Sequence, residues 1–387
     1  MSAKVSTVIL GATGSIGTQT LDVIYQYPSD FELQFITANT SVEQLKNMAQ
    51  KYSISAIGIH SLSVSPPTCE NVHIVQGRKE IADFIIHHSI HTVVFGSSGI
   101  EDYQILKEVY PYVQKICIAS KEIIVMAGAT GLLKEIQSKC TVLPVDSEHA
   151  AVYQLMERCP RDQIHKVYLT ASGGPFYSQI DNVSTLEWDR ITPEMALKHP
   201  TWNMGKKVTM DSATMANKGI ELLEASVLFS LSASQLDVII HPQSIVHAMI
   251  ECVDGVCYSQ NSWPDMRLPI AFALFYPEKK QIDIGKPDSF FTNLHQLSLY
   301  PVHTMNIPTI ASAYQALQEG GLSPIVYLAA DDVAVEAFLQ HQVPFSHIPR
   351  IIQTSLDRFS QDSVDASNPV EQYKKLQNKI RHELVKG

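Results

Sequence analysis

The glycine-rich turn that begins at Gly11 constrains the fold of this chain more than any other feature. An apolar, β-branched run at 5–10 precedes the turn, the letters GATGSIG occupy 11–17, and apolar residues at helical spacing follow at 18–25. A strand, a tight glycine turn and a helix in this order can bind a dinucleotide, because the backbone can approach a pyrophosphate and the helix N-terminus offers free N–H groups. The pattern predicts a dinucleotide-binding turn, and its GxxGxxG spacing leaves a plain strand-to-helix connection as the alternative.

The same alternation of strand and helix continues through the first part of the chain. Further apolar runs occupy 32–37, 56–59, 91–95, 115–119 and 141–145. Most of them are separated by stretches long enough for a crossover helix, which parallel strands require. Runs that are apolar throughout, rather than alternating, are typical of strands buried on both faces. We therefore predict an α/β fold that begins with a doubly wound (Rossmann-like) parallel sheet.

The remaining sequence changes in character twice. Strand-like runs and one helical stretch come first, at 167–170, 217–231, 238–240 and 245–251. Prolines among polar residues follow, which is typical of a linker, and apolar residues at helical spacing then continue to the end. The predicted parts are an NADPH-binding domain over 1–146, a central α+β catalytic and metal- and substrate-binding domain over 147–276, a linker over 277–308 and a C-terminal helical domain over 309–387.

Composition excludes several classes of protein. The 387 residues include 29 Lys and Arg against 39 Asp and Glu, a formal net charge of −10, which argues against sequence-independent binding of nucleic acid. No apolar stretch reaches the length of about 18 residues that a membrane helix needs, and the N-terminus lacks the apolar core of a secretory signal. The six cysteines are scattered without a CxxC pair, so we expect them to be reduced and to bind no zinc. We expect a cytoplasmic protein with neither nucleic acid nor a membrane as partner.

The segment after the second predicted strand distinguishes between the two nicotinamide cofactors. Enzymes that use NAD place Asp or Glu there to bind the ribose hydroxyls. Here the segment is Thr37-Ala38-Asn39-Thr40-Ser41, which has no carboxylate to repel a 2′-phosphate and offers several hydrogen-bond donors. The sequence therefore favours NADPH, with an ordinary polar loop as the alternative.

Acidic residues at three positions could share a cation. Asp146 and Glu148 follow a predicted strand, and their i, i+2 spacing puts both carboxylates on one side if the backbone stays extended. Two carboxylates that face each other repel, and a cation between them removes that repulsion. Glu221 is the third candidate, and Asn217 and Lys218 share its helical face. Carboxylate ligands with open positions suit Mg²⁺ or Mn²⁺, while solvated surface acids are the alternative.

Small polar residues in two further segments could bind an anion. ASGGPF at 171–176 ends a predicted strand, where N–H groups and a hydroxyl can form an anion nest. DSAT at 211–214 precedes a predicted helix and is equally consistent with a simple N-cap. Lys121 follows a predicted strand at the edge where open α/β sheets bind ligands, although an isolated Lys is more often plain surface. A phosphate pocket of neutral donors with one cation would combine Ser172, Ser212, Asn217 and Lys218.

The longest motifs resemble one enzyme family. They are VDSEH at 145–149, ASGGPF at 171–176 and HPTWNMGKKVTMDSATMANKGIE at 199–221. In this order they are similar to the 1-deoxy-D-xylulose 5-phosphate reductoisomerase family, and the likeness continues through GATGSIG, HPQSIVHAM and PDMRLPIA. The resemblance implies NADPH- and divalent-metal-dependent rearrangement and reduction of 1-deoxy-D-xylulose 5-phosphate to 2-C-methyl-D-erythritol 4-phosphate, in the non-mevalonate isoprenoid precursor pathway. It also implies a homodimer whose substrate is a small phosphorylated sugar.

The resemblance assigns roles to the positions that match the family's motifs. Asp146, Glu148 and Glu221 resemble the metal ligands, and the expected catalytic residues are these three with Lys121 and His199. The expected substrate contacts are Lys121, Ser147, Ser172, His199, Trp202, Ser212, Asn217 and Lys218. A mobile flap is expected to contain His199, Trp202 and Met204, and His247 matches a further active-site histidine. The expected nucleotide contacts are Thr13, Gly14, Ser15, Ile16, Asn39, Thr40, Ser41, Ser120, Glu122 and Gly205.

The departures from the family's pattern concern the cofactor. Asn39, Thr40 and Ser41 stand where the family commonly has Gly, a variable polar residue and Asn. Ser120 stands where the family has Asn before the Lys. The metal and phosphate positions match.

Other functions remain as alternatives. One is another NADP-dependent dehydrogenase of a phosphorylated small molecule, such as the semialdehyde type, which uses a Cys nucleophile; no Cys here lies in a plausible nucleophile motif. The other is a binding module that senses a dinucleotide, which would not need the acidic set.

Overall fold

The structure, a computed structural model, describes residues 3–68, 71–176, 188–198, 205–286, 294, 296–302 and 307–385. The chain divides into two compact units. The first comprises Met1–Ile123, Leu132–Ala150 and Asp265–Pro287, and the second comprises Ile124–Gly131, Ala151–Pro264 and Asp288–Gly387. The four-part division expected from the sequence stays a prediction.

The first unit contains a parallel sheet of seven strands. They are β1 (Val5–Leu10), β2 (Phe31–Ala38), β3 (Ala56–Ile59), β4 (His73–Gln76), β5 (Thr92–Phe95), β6 (Lys115–Ile118) and β7 (Thr141–Pro144). Their order across the sheet is β4-β3-β2-β1-β5-β6-β7. The predicted doubly wound sheet is therefore confirmed.

Helices alternate with these strands. They are α1 (Ser15–Gln26), α2 (Val42–Lys51), α3 (Arg78–His87), α4 (Tyr103–Val109), α5 (Lys121–Ala129), α6 (Leu132–Lys139) and α7 (Ser147–Met156). All four residues of β3 and of β5 are buried, as expected for strands covered on both faces. Because β1 lies between β2 and β5, the strand order reverses there, and open α/β sheets bind ligands beyond the carboxyl ends of the strands at such a point.

The second unit contains a mixed sheet of five strands. They are β8 (Ile164–Ala171), β9 (Leu236–Ile240), β10 (Val246–Cys252), β11 (Cys257–Asn261) and β12 (Tyr300–Pro301), in the order β11-β10-β8-β9-β12. β8 and β9 are parallel, and the remaining pairs are antiparallel. The short strand β12 lies within the segment predicted as a linker and pairs with β9.

The later helices complete the described chain. They are α8 (Pro193–Ala196), α9 (Lys206–Thr214), α10 (Ala216–Phe229), α11 (Arg267–Phe275), α12 (Pro308–Glu319), α13 (Ser323–Leu339), α14 (His347–Phe359) and α15 (Pro369–Ile380). In α14 the apolar residues at i, i+3 and i+4 spacing are buried, which is the pattern of an amphipathic helix. The C-terminal helices predicted from 309 onward are present.

Three strands, β4, β11 and β12, were missed by the sequence analysis, and all three lie at sheet edges. β4 buries only Val75, and β11 exposes four of its five residues. An edge strand contacts the core on less of its surface, so it has no continuous apolar run. No helix among the described residues is both long and apolar enough to cross a membrane. The five cysteines that the structure describes are free thiols, and the sulfur atoms of Cys159 and Cys252 lie 2.8 Å apart.

Candidate active site

The glycine turn lies at the carboxyl end of β1, and its shape depends on glycine at two positions. Gly11 has φ +78°, and a Cβ there would lie 2.7 Å from the backbone N of Ser97. A Cβ at Gly17 would lie 2.3 Å from the carbonyl oxygen of Gly11. Helix α1 then begins at Ser15 with Gly14 as its N-cap, and both residues are exposed. The N–H groups of this helix start are therefore accessible to an anionic ligand.

The segment predicted to select NADPH follows β2. Thr37 is buried in the strand, whereas Asn39, Thr40 and Ser41 are exposed before α2 begins. The first carboxylate after β2 is Glu43, inside α2. Exposed hydroxyl and amide groups at this position can donate to a 2′-phosphate.

Ser120 and Lys121 lie at the carboxyl end of β6. Ser120 is 2% exposed, and its hydroxyl donates to the carbonyl of Gly99 (2.9 Å) and to Glu122 (3.0 Å). Lys121 begins α5, and its Nζ lies 2.8 Å from Oδ2 of Asp146. The Ser that departs from the family pattern thus bonds inside the protein, and a cofactor contact by Ser120 stays a prediction.

Asp146 precedes α7, which begins at Ser147, so the condition of an extended backbone between Asp146 and Glu148 is not met. The Oδ1 atom of Asp146 accepts from the backbone N–H groups of Glu148 (3.1 Å) and His149 (3.2 Å). These are helix N-terminal donors, and a carboxylate satisfies them well. The Asp146 side chain therefore caps the N-terminus of α7, and the helix begins at the next residue, Ser147.

His149 holds Asp146 in place and was missed by the sequence analysis. Its ring is fully buried, and Nδ1 lies 2.7 Å from Oδ1 of Asp146. The imidazole therefore donates to the same oxygen that caps the helix. The signal was the i, i+3 spacing of Asp and His in VDSEH, which places both side chains on one face once the segment is helical.

Glu221 lies on α10 and is 1% exposed, so it is not a solvated surface acid. Asn217 donates to its Oε1 at 2.5 Å, and Lys218 forms an ion pair with its Oε2. The i, i+4 and i, i+3 spacings therefore bring these side chains together, as the sequence predicted. A buried carboxylate of this kind needs charged or hydrogen-bonding partners.

The three predicted carboxylates converge. Each of Asp146, Glu148 and Glu221 offers an oxygen, and these oxygens lie within 4.8 Å of one another. On the same two helices, the ring of Tyr153 on α7 packs against Phe229 of α10, with centroids 6.5 Å apart. Three carboxylates at this separation repel one another, and an oxygen-liganded divalent cation would relieve the repulsion.

The segment 211–214 is the last turn of α9, and its interpretation as the N-cap of the next helix was wrong. Met215 separates the two helices with φ +62° and is the N-cap of α10, without a side-chain cap hydrogen bond. We call residues 211–218 the α9–α10 corner. Its Asn217 and Lys218 lie in the first turn of α10, whose N–H groups favour an anion.

The loop that contains Ser172 packs directly on this corner. Gly174 has φ +68°, and a Cβ there would lie 2.6 Å from the carbonyl oxygen of Ser212. The N–H of Gly174 donates to the hydroxyl of Ser172 at 3.3 Å. Close backbone contact at Gly174 therefore packs the loop that contains Ser172 onto the corner, which the sequence could suggest only by composition.

Helices α12 and α13 support the corner. The Thr309 hydroxyl donates to the carbonyl of Thr214 (2.7 Å), and the Tyr327 hydroxyl donates to the carbonyl of Thr309 (3.0 Å). A Cβ at Gly219 would lie 2.3 Å from the Tyr327 hydroxyl oxygen, so α10 and α13 approach closely. These contacts fix the position of the turn at Met215.

An ionic cluster begins in the first turn of α9, at Lys207. Lys207 lies 2.7 Å from Asp211 and also pairs with Asp331 of α13. Burial raises the pKa of both Asp211 and Asp331, and Lys207 only partly offsets this. Burial alone would lower the pKa of Lys207, but the two carboxylates raise it well above its ordinary value. The cluster joins α9 to the C-terminal helices.

The remaining predicted residues are less well defined. His199, Trp202 and Met204 lie outside the described residues, so the flap stays a prediction. Gly205 is the N-cap of α9, and His247 is 3% exposed in β10. Ser147 is the first residue of α7, and its hydroxyl donates to Glu148.

Sequence comparison identifies relatives over nearly the whole chain. Three family models match: 1-deoxy-D-xylulose 5-phosphate reductoisomerase at residues 7–128, its C-terminal domain at 142–229, and a further DXP reductoisomerase C-terminal domain at 262–383. The 1-deoxy-D-xylulose 5-phosphate reductoisomerase of Thermomicrobium roseum is 40% identical over 356 residues, which cover 90% of this chain and 89% of that protein. The enzyme of the same name from a Sulfurihydrogenibium species is 34% identical, with coverage of 94% and 93%.

Solved structures give the same result. The 1-deoxy-D-xylulose 5-phosphate reductoisomerase of Zymomonas mobilis in complex with NADPH has a TM-score of 0.85 at 29% identity, covering 98% of this chain and 99% of that one. A DOX-P reductoisomerase in complex with NADPH, fosmidomycin and magnesium has a TM-score of 0.83 at 31% identity, covering 98% and 97%. Since sequence and fold agree over both units, the chain belongs to the 1-deoxy-D-xylulose 5-phosphate reductoisomerase family.

Proposed function

We propose that this chain converts 1-deoxy-D-xylulose 5-phosphate to 2-C-methyl-D-erythritol 4-phosphate, with NADPH and a divalent cation, in the non-mevalonate isoprenoid precursor pathway. Within the structure, the observation that supports this most strongly is the convergence of Asp146, Glu148 and Glu221. A protein that only binds a dinucleotide has no need for three carboxylates in one place. The NADPH- and magnesium-bound relative supports the same choice of cofactors.

NADPH would lie on the turn at Gly11. The exposed helix start at Gly14 and Ser15 fits a pyrophosphate, with Thr13 and Ile16 beside it in the same turn. Asn39, Thr40 and Ser41 would receive the 2′-phosphate, and Ser120, Glu122 and Gly205 are further proposed contacts. When bound, the cofactor supplies the hydride for the reduction.

The cation would lie among Asp146, Glu148 and Glu221. Oxygen ligands of this kind fit Mg²⁺ or Mn²⁺ equally well. Such a cation would polarise the carbonyl and neighbouring hydroxyl oxygens of the substrate. His149 and the N-terminus of α7 hold Asp146 in orientation, as groups behind a metal ligand commonly do. Lys121 and Ser147 would contact the same end of the substrate.

The substrate phosphate would bind the α9–α10 corner. Ser212, Asn217 and Lys218 lie there, and the contact of Gly174 with Ser212 packs the loop that contains Ser172 onto the corner. Neutral donors, one ammonium and a helix N-terminus together suit a phosphate. Binding energy from this remote group orients the reacting end of the sugar. His199 and Trp202 would close over the substrate and exclude water.

The protein is proposed to act as a cytoplasmic homodimer, which is supported by the family resemblance. The functional division into residues 1–146, 147–276, 277–308 and 309–387 is proposed on the same basis. The proposed reaction does not depend on either of these proposals.

The deciding experiment is NADPH oxidation with 1-deoxy-D-xylulose 5-phosphate as substrate. We expect turnover with Mg²⁺ or Mn²⁺, loss of turnover with EDTA, and recovery when either metal is added back. Turnover that persists without metal would overturn the metal site. Turnover of a different phosphorylated aldehyde or acid instead would favour another NADP-dependent dehydrogenase.

A further inference from the structure

We propose that His60 and Asp102 are positioning residues for NADPH, because together with Thr37 and Ser97 they hold the turn at Gly11 in its binding shape. The inference rests on the proposed NADPH binding but not on the identity of the substrate. These residues do not belong to the glycine motif. Thr37 lies in β2, His60 follows β3, and Ser97 and Asp102 lie between β5 and α4, so the four residues meet only in the folded sheet.

Gly11 is held from both sides. On the β2 side its N–H donates to Oγ1 of Thr37 at 3.1 Å, and the next N–H, that of Ala12, donates to the Thr37 carbonyl at 2.7 Å. On the β5 side the backbone of Ser97 lies so close that even a methyl group on Gly11 would be 2.7 Å from its N atom. The turn can therefore move only if Thr37 or Ser97 moves.

His60 and Asp102 connect these two sides. The Nε2 atom of His60 lies 2.6 Å from Oγ1 of Thr37, and its Nδ1 lies 2.9 Å from Oδ1 of Asp102. The hydroxyl of Ser97 donates to the other carboxylate oxygen of Asp102. Contacts therefore run in a closed ring from Gly11 through Thr37, His60, Asp102 and Ser97 back to Gly11.

The chemistry of the side chains determines which group donates and which accepts in each hydrogen bond of this ring. Burial would raise the pKa of Asp102, but hydrogen bonds from His60 and Ser97 lower it below its ordinary value, so the carboxylate is ionised and only accepts. His60 then donates from Nδ1, and the tautomer that carries its proton there accepts the Thr37 hydroxyl proton at Nε2. The lone pairs of the Thr37 oxygen remain for the N–H of Gly11. Every proton in the ring has one acceptor.

The ring is an unusual use of buried polar groups. Thr37 is fully buried, and His60 and Asp102 are 4% and 3% exposed. Arg78 adds a third bond to Asp102 at 3.1 Å. Apolar side chains of similar size could fill this space without desolvating a carboxylate. Apolar side chains could not accept a hydrogen bond from the N–H of Gly11. This glycine forms the tight turn on which the pyrophosphate would bind.

The same domain contains a matched control. His91 lies just before β5, at the amino ends of the parallel strands, whereas the glycine turn lies at their carboxyl ends, and Nδ1 of His91 lies 2.9 Å from the Thr92 hydroxyl. This second His–Thr pair has similar chemistry but no contact with the turn. A substitution there reports the general cost of removing such a pair from the domain.

The test measures NADPH binding directly, by fluorescence titration of the full-length protein without substrate. His60→Leu and Thr37→Val should each raise the Kd for NADPH about tenfold, because a buried donor loses its acceptor. His60→Gln, whose amide can still bond Thr37, should raise it less. In steady-state assays the KM for NADPH should rise more than kcat falls, and His91→Gln should change neither.

The outcomes separate this inference from the proposed function. Circular dichroism establishes that each variant is folded; if His60→Leu does not fold, Thr37→Val, which keeps the side-chain volume, decides. A Kd within twofold of wild type for Thr37→Val and His60→Gln, or an equal rise for His91→Gln, would overturn the positioning role. If the wild type binds NADPH but does not convert 1-deoxy-D-xylulose 5-phosphate, the proposed function fails and this inference stands.

Discussion

The turn at Gly11 and the α9–α10 corner are both suited to phosphate groups, but they achieve this by different means. The turn offers backbone N–H groups and tolerates no added side-chain atom at Gly11 or Gly17. The corner offers side chains, among them Lys218 and Asn217, which also bond Glu221. A backbone site is therefore sensitive to shape, whereas a side-chain site is sensitive to charge and hydrogen-bonding capacity. Substitutions at the two sites should damage different steps.

The largest difference between the effect on catalysis and the effect on NADPH binding is expected for Glu221→Gln. It keeps the shape of the side chain but removes one of three converging negative charges. We expect kcat to fall about a thousandfold, since Lewis-acid catalysis contributes several kcal/mol, while the Kd for NADPH changes less than twofold. Parallel steady-state kinetics and NADPH titration measure both. Glu251→Gln, on β10 with Tyr168 as its partner, is the control. Equal loss in kcat and NADPH affinity would contradict a metal-ligand role.

Gly17→Ala should instead weaken NADPH binding more than it slows catalysis. The added methyl group would lie 2.3 Å from the Gly11 carbonyl oxygen and 2.4 Å from Cα of Ala12, both backbone atoms that cannot rotate away. Overpacking of about 1–3 kcal/mol should raise the Kd for NADPH up to about a hundredfold, with a smaller effect on kcat at saturating NADPH.

Gly205→Ala is the comparison for Gly17→Ala, because it adds the same methyl group at another proposed NADPH contact without crowding described atoms. No atom among the described residues lies within 4 Å of a Cβ at that position, and Gly205 has φ −62°. Its melting temperature should match that of the wild type, and a moderate rise in the Kd for NADPH would support the proposed contact. The comparison fails if Gly17→Ala binds NADPH as tightly as Gly205→Ala.

A third prediction concerns the ionic cluster that joins α9 to α13. Lys207→Met leaves two buried carboxylates without their cation, and we expect a loss of about 3 kcal/mol in the free energy of unfolding near pH 8. Lys207 is 31% exposed, which keeps the loss at the lower end of the usual range for buried pairs. Asp332→Asn, at 3.4 Å from the same Nζ and more exposed, should cost less than about 0.5 kcal/mol.

The pH dependence of this loss has a definite sign. Burial raises the pKa of Asp211 and Asp331 above their unfolded values, so the folded state binds their protons more tightly than the unfolded state does. For each residue, the free energy of unfolding therefore falls as pH rises from the pKa of the unfolded state to the pKa of the folded state. Without Lys207 this fall should be steeper, so urea denaturation should show a smaller defect at pH 5 than at pH 8. A defect that is the same at both pH values would refute the charge-based explanation.

The smallest effect is expected for Tyr327→Phe. The lost hydroxyl donates to Thr309, which in turn donates to Thr214 in the corner. A single buried hydrogen bond contributes about 1 kcal/mol, and we expect the KM for the phosphorylated substrate to rise about threefold while the Kd for NADPH stays the same. Tyr110→Phe, which removes a bond to Glu135 on α6, is the control in the first unit. An effect on NADPH binding alone would count against support of the corner by α13.

The sequence predicted best what depends on neighbouring residues. β1, the glycine turn and α2 follow from local apolar patterns, and the grouping of Asn217, Lys218 and Glu221 follows from helical spacing. The backbone after Asp146 is helical rather than extended, because the Asp146 carboxylate caps the start of α7. The capping interpretation of 211–214 was wrong because α9 ends there.

Contacts between distant segments could not be predicted from one sequence. Tyr327 lies more than 100 residues from the corner it supports, and Asp331 is similarly distant from Lys207. His60 and Asp102 have no motif that links them to Gly11. Such residues become visible only when the fold brings them together, because their function depends on geometry rather than on a local pattern.

The left-handed backbone at Met215 has a practical consequence. A non-glycine residue in this conformation costs about 1–2 kcal/mol, yet Met215 is 4% exposed and enclosed by packed helices. Such a joint will not adapt its shape to a new ligand. A chemical group that binds against this joint should therefore tolerate little variation in size, whereas the parts of a ligand that lie away from the joint can vary more.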